Sequence, residues 1–180
     1  MRLRYIVLLR GVNISGKNKL AMTDFAAALS SLGFTGVKTL LNSGNAAFTA
    51  EEAPPQALAE TIRAALSLRC GLDVPVLVTA RDTLVSLLSE APAWWGSEDK
   101  ALYDNLIFPL PPTTGPELAG LLGAPSETLE QVSVRDTAIY WTFDRAKYQK
   151  AAWWKKTATA GLTEKVTIRT AGTVKKLASF

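Results

Sequence analysis

Histidine is absent from the 180 residues, and cysteine occurs once, at Cys70. Without histidine there is no imidazole base, no Ser-His-Asp or Cys-His nucleophile and no histidine-ligated zinc. One cysteine permits neither an intrachain disulfide nor a paired-cysteine zinc site, and it fits a reducing compartment. Long apolar runs are also missing. The opening "MRLRYIVLLRG" is apolar only from Tyr5 to Leu9 before Arg10 interrupts it, too short for a secretory signal. No stretch nears the roughly 20 apolar residues of a membrane helix. These absences point to a cytoplasmic protein. They leave carboxylates, lysines, tyrosines or a substrate-bound magnesium ion as the means of any catalysis.

What is present is ordinary globular material. Hydrophobic residues make up 48% and charged residues 20%, enough for a core that needs no staples. The formal net charge is +4, which mildly favours anionic partners without amounting to a polybasic tail.

Periodicity and turn residues divide the first half cleanly. "RYIVLL" suits a buried strand. After a glycine-rich loop, Thr23 is placed to cap a helix through "DFAAALSSL", with Gly33 at its left-handed C-terminal cap. "VKTLL" is a short strand, "NSGN" at 42–45 is hairpin-turn chemistry, and "AAFTA" is the returning strand. Pro55 opens a helix through "QALAETIRAALSLRC", and "VPVLVTA" follows as a fourth strand. The order is β-α-β-β-α-β, the ferredoxin-like pattern.

The second half repeats that rhythm behind a linking helix at 81–91 and a loop from Pro92 to Lys100. "YDNLIFPL" is a strand, "PELAGLLG" a helix, and "LEQVSVR" with "AIYWTFD" a hairpin turning at Arg135-Asp136. "RAKYQKAAWWKK" reads as a basic helix, "KVTIR" as a strand and "AGTVKKLASF" as a closing helix. The expected fold is therefore α+β, a duplication of pattern with subdomains at 1–80 and 81–180.

Topology then gathers a candidate site. In β-α-β-β, strands 1 and 2 run parallel with strand 3 antiparallel between them, so the loop after strand 1 and the turn between strands 2 and 3 share one end of the sheet. That end collects Arg10, Asn13, Lys17, Asn18, Lys19, Asn42, Ser43 and Asn45, with backbone amides freed by Gly11, Gly16 and Gly44. Glycines admit close backbone approach, lysines supply charge, and amides donate and accept, which suits an anion or a polar planar group. The same chemistry also serves a solvated loop that only braces the fold. It is not a Walker loop. Gly11, Gly16 and Lys17 have the spacing, but Asn18 stands where a hydroxyl should meet magnesium. No dinucleotide fingerprint and no metal-ligand cluster is present, so no cofactor is expected.

A second candidate is the basic C-terminal segment, where Lys150, Lys155, Lys156, Lys165, Arg169, Lys175 and Lys176 surround Trp153 and Trp154. Aromatics among lysines can stack nucleobases, although a core tryptophan beside a solvated lysine face reads the same way. A third is a magnesium-dependent reaction on a phosphorylated substrate, for which Asp24 is the one carboxylate near the first loop. Asp73, Asp82, Glu90, Glu98, Asp99 and Asp104 are scattered without a D-x-D or E-x-x-E pair. Trp94 and Trp95 suit a core edge, and Cys70 a buried helix end.

"LLRGVNISGKNKLAM" at 8–22, "NSGNAAF" at 42–48 and "VTIRTAGTVKKL" at 166–177 together resemble the DUF1697 family of uncharacterised bacterial proteins. The closing motif of that family usually carries Asn where this chain has Thr170. The resemblance implies two subdomains with likeness to the ferredoxin fold, and it implies no activity. It marks Arg10, Gly11, Asn13, Gly16, Lys17, Lys19, Ser43, Gly44, Asn45, Arg169, Thr173 and Lys175 as motif positions. The functional expectation is a ligand site at 10–19 and 42–45 for a phosphorylated or otherwise anionic small molecule, with Arg169, Thr173 and Lys175 as contributors from the second subdomain.

Overall fold

The structure, a computed structural model, describes residues 1–159 and 161–180. Its contacts divide the chain into two units, Met1–Ser86 with Lys176–Phe180, and Leu87–Lys175. Both are mixed α+β units built on a four-stranded antiparallel sheet.

The first unit runs β1 (Arg2–Leu9), α1 (Met22–Ser31), β2 (Thr35–Leu40), β3 (Asn45–Glu51), α2 (Pro55–Cys70), β4 (Val76–Ala80) and the start of α3 (Arg81–Ser89). Its strand order is β2-β3-β1-β4, the ferredoxin-like order. Strand period 2 and helix period 3.6 meet in one core. Tyr5, Val7 and Leu9 of β1 join Phe25 and Leu29 of α1 and Leu58, Ile62 and Leu66 of α2. Ile6 and Leu8 point to the opposite face and are equally buried. Shielding on both faces is why β1 reads as a continuous apolar run rather than an alternation.

Gly33 ends α1 at φ +80, as a left-handed cap requires. Thr23 does not cap the helix. The helix begins two residues earlier, at Met22, with Ala21 in the cap position and no side-chain bond there. Pro55 is the first helical residue of α2, and Gly71 closes it at φ +62.

The second unit repeats the order as β5 (Leu102–Pro109), α4 (Gly115–Leu122), β6 (Glu130–Val134), β7 (Ile139–Asp144), α5 (Ala152–Thr157), β8 (Val166–Thr170) and the start of α6 (Ala171–Ala178), with strand order β6-β7-β5-β8. Its core packs Ile107, Leu118 and Leu122 against Trp141, Phe143 and Trp153. The basic helix expected from sequence is in fact two pieces. A 3-10 segment, Arg145–Lys150, stops at Ala151, whose extended ψ of 126° separates it from α5.

Register sharpens the duplication. Tyr5 lies opposite Ala80 in the first sheet, and Asn105 lies opposite Thr170 in the second. The linking helix α3 and the closing helix α6 therefore start at equivalent places. Each copy of the motif is β-α-β-β-α-β followed by a helix.

Candidate functional site

The end of the first sheet predicted from topology is assembled by short backbone bonds. Leu9 N donates to Gly44 O at 2.8 Å, and Arg10 N to Pro75 O at 3.0 Å. The β2–β3 turn thus presses on the end of β1. Gly44 has φ +74, and a Cβ there would lie 2.6 Å from Leu9 Cβ, so glycine is required twice over.

The loop after β1 is folded on its own asparagines. Asn13 Nδ2 donates to Leu20 O at 2.8 Å and to Asn42 O at 2.7 Å, while its Oδ1 accepts from Leu20 N at 2.9 Å. One side chain therefore closes the loop and ties it to the neighbouring turn. Asn18 Nδ2 donates to Gly11 O at 2.9 Å. Asn45 is fully buried and donates to Leu40 O at 3.0 Å and Ser43 Oγ at 2.9 Å, which fixes the turn from inside. Among the described residues, the non-glycine residues with left-handed φ are Asn13, Ser15, Asn18 and Leu41, all in this loop and turn. Such conformations persist only where surrounding bonds over-determine them, as they do here.

The predicted residues therefore divide. Loop 10–19 and turn 42–45 do meet. Asn13, Asn18 and Asn45 direct their amide groups into the frame. Asn42 offers its backbone oxygen to Asn13 and keeps an exposed side chain. Lys17 and Lys19 stand exposed, and among the described residues neither forms an ion pair. No carboxylate precedes Asp24 in the chain, and none lies between residues 25 and 50. Arg169, Thr173 and Lys175 belong to the second unit. Arg169 Nη1 donates to Thr167 Oγ1 at 2.9 Å and Ile168 O at 2.8 Å. Thr173 Oγ1 lies 3.0 Å from Thr170 Oγ1, and Lys175 Nζ donates to Gly96 O at 2.7 Å.

Two second-unit features are not apparent from sequence. The first is a cleft of about 330 Å³ where β5, β8 and the first turn of α6 meet. Its polar wall includes Ser97, Asp104, Arg145 and Thr170. Asp104 is buried, accepting from Thr142 Oγ1 and from Ser97 Oγ. Arg145 stacks over Tyr103 at 4.7 Å. Glu98 and Asp99 add to Asp104, against Lys100 and Arg145, so this cleft has no positive excess. A carboxylate inside the apolar run "LYDNLIFPL" was the available signal.

The second is Glu130, buried at 6% exposure. Its two oxygens accept from Ser126 N, Ala152 N, Trp141 Nε1 and Trp153 N, at 2.8, 2.8, 3.0 and 3.1 Å.

The basic C-terminal segment is only partly a surface. Trp153 is core, with Nε1 donating to Gly123 O, and Lys156 Nζ donates to Leu122 O. Trp154 is more exposed and sits edge-on to Tyr103, Phe143 and Tyr148. Cys70 ends α2 half-buried, and burial pushes its thiol pKa up, away from reactivity. Among the described residues no group of three His, Cys, Asp or Glu side chains is placed to hold a metal ion, and no helix is long and apolar enough to cross a membrane.

Among curated proteins nothing matches the chain. A solved structure, that of conserved bacterial protein SP0830 from Streptococcus pneumoniae, superposes with a TM-score of 0.84 and 25% identity, covering 99% of this chain and 98% of that one. Residues 3–140 match the family described as "Protein of unknown function (DUF1697)", a span that takes in the braced loop, the turn and most of both sheets. This protein belongs to the DUF1697 family.

Proposed function

We propose that this protein binds a phosphorylated or otherwise anionic small ligand, nucleotides included, at loop 10–19 and turn 42–45. One observation carries the reading: Lys17 and Lys19 project without a carboxylate partner from a loop that its own asparagines hold in place. A stiff frame lowers the ordering entropy lost on binding, and charge without a counter-charge leaves the electrostatic gain to the ligand.

In this reading Arg10, Lys17 and Lys19 supply charge, while Asn42 and the backbone at Gly11 and Gly16 supply hydrogen bonds. Asn13, Asn18 and Asn45 act one step back, by shaping the loop. Arg169, Thr173 and Lys175 take a structural part, since each bonds a neighbour in the second unit.

Nucleic-acid binding by the C-terminal segment has weaker support. Trp153 is core, and Lys156 and Lys175 each bond a carbonyl. A magnesium-dependent reaction has Asp24, exposed in the first turn of α1, as its nearest carboxylate, and no observation favours it.

The test is a thermal-shift panel of nucleotides and sugar phosphates on the wild type and on Lys17→Ala/Lys19→Ala. Hits should weaken at least about tenfold in the double variant, as lost charge-assisted contacts require. A panel without hits, or hits indifferent to both lysines, removes the proposal.

A further inference from the structure

Loop 10–19 and the neighbouring turn carry two apolar side chains that the fold does not require. Asn13 N donates to Asn18 O at 3.1 Å, and Lys17 N to Ile14 O at 2.9 Å. Ser15 at φ +49 and Gly16 at φ +75 make the turn between them. Two consecutive left-handed residues are what a two-residue hairpin turn needs, so the loop ends in a small hairpin. Ile14 and Lys17 lie directly opposite each other in it, and opposed residues share a face.

This hairpin projects into solvent. Residues 13–19 are all exposed, and a Cβ added at Gly16 would meet nothing within 4 Å. Ile14 is 60% exposed. Leu41, 59% exposed, immediately precedes Asn42, whose backbone oxygen accepts from Asn13 Nδ2 at 2.7 Å. One exposed apolar residue is ordinary, but these two flank the bond that joins loop to turn. Leu41 also has φ +58, where a leucine is strained and asparagine or glycine is at ease. Its side chain adds little to the core, and its backbone disfavours it. An exposed leucine kept at such a position points to a contact outside the chain.

Charge indicates the contact. Lys17 and Lys19 are exposed on the same loop, and no carboxylate occurs before Asp24 or between residues 25 and 50. Apolar side chains among lysines complement a surface that is anionic outside and apolar beneath. A lysine stem can lie along apolar material while its ammonium group stays at the headgroup level. Small ligands seek concave sites, whereas a projecting hairpin suits a flat, yielding surface.

We propose that the hairpin tip docks this protein on an anionic lipid bilayer, with Ile14 and Leu41 entering the interface and Lys17 and Lys19 meeting lipid phosphates. The proposal rests on the anion reading of loop 10–19 and names the anion as the phosphate of a lipid headgroup. Two apolar side chains and two lysines make the attachment weak and reversible, since even one acyl chain holds a protein only marginally.

The test is flotation of the full chain at low salt with two kinds of vesicle, phosphatidylcholine alone and phosphatidylcholine mixed equally with phosphatidylglycerol. The proteins are wild type, Ile14→Thr/Leu41→Asn and Lys17→Ala/Lys19→Ala. Amide spectra with a nucleoside monophosphate are recorded in parallel. Wild type should float with the mixed vesicles and stay behind with phosphatidylcholine alone. Each lysine near an anionic surface contributes about fivefold in partitioning, so the lysine variant should partition roughly 25-fold less. Ile14→Thr/Leu41→Asn should lose at least about tenfold while keeping the wild-type melting temperature, because threonine retains the β-branch and asparagine tolerates the left-handed φ. Equal flotation with phosphatidylcholine alone, or flotation undiminished in Ile14→Thr/Leu41→Asn, would overturn the proposal. No flotation at all would overturn it and point instead to an acidic protein partner. Amide shifts with the nucleotide in a protein that does not float sink the docking and keep the small-ligand reading. Flotation that needs both pairs of residues, in a protein without such shifts, upholds the docking and ends that reading.

Discussion

Replacing Glu130 by alanine removes the acceptor that joins three parts of the second unit. Ser126 N precedes β6, Trp141 Nε1 comes from β7, and Ala152 N and Trp153 N form the first turn of α5. The substitution orphans four donors at once. Those at Trp141 and Trp153 are buried, whereas the other two are part-buried and can recruit water. A buried donor left unpaired loses about 1–3 kcal/mol, so two of them with a smaller contribution from the rest give roughly 3–5 kcal/mol. That is a large share of the ~5–15 kcal/mol that holds an ordinary domain folded. Glu130→Gln should lose less, because one oxygen still accepts while the new amide faces donors. Urea unfolding followed by tryptophan fluorescence is the natural assay, since all five tryptophans, at 94, 95, 141, 153 and 154, lie in this unit. A loss below about 1 kcal/mol in Glu130→Ala would show that the carboxylate does not organise the unit, and the reasoning would fail.

Three other outcomes follow from the same geometry. Gly44→Ala should destabilise the first unit by about 2–4 kcal/mol, since a methyl group there meets the Leu9 side chain, at 2.6 Å from a Cβ that strand β1 holds in place, at a φ of +74; a melting temperature unchanged from wild type speaks against that close approach. Asn13→Ala should lose about 2 kcal/mol through three local bonds and, unlike Lys17→Ala/Lys19→Ala, should speed amide exchange across the loop, measured by hydrogen exchange. Thr114 bonds, from the backbone first and the hydroxyl second, hold the Glu117 carboxyl below its ordinary pKa in the capping box of α4. A lowered folded pKa contributes stability above the unfolded value and loses it as pH falls through the folded one. The stability gap between wild type and Glu117→Gln should therefore be present at neutral pH and close in acid; a gap that widens in acid contradicts the assignment.

The element order was legible because it rests on local chemistry. Val and Ile runs mark strands, Gly33 marks a helix end, and Asn-Ser-Gly-Asn marks a hairpin. The missed cap is instructive: Thr23 has the right chemistry, yet the chain enters the helix from Ala21 without any side-chain bond. The candidate site was legible in place and not in role. Topology brings loop 10–19 to turn 42–45, but an asparagine amide serves a ligand and a backbone carbonyl equally well. Only coordinates show that Asn13, Asn18 and Asn45 bond the chain itself. Glu130 left no trace because four donors spread over Ser126 to Trp153 form no motif. Trp153 and Trp154 read alike in sequence and differ in the fold, one core and one partly exposed.

Anion binding at the braced loop is tested most directly by a backbone amide titration of the wild type with a nucleoside monophosphate. Saturable shifts should concentrate at residues 10–19 and 42–44 and be abolished in Lys17→Ala/Lys19→Ala. Saturable shifts that leave those residues still, or no saturable shifts at all, would contradict it.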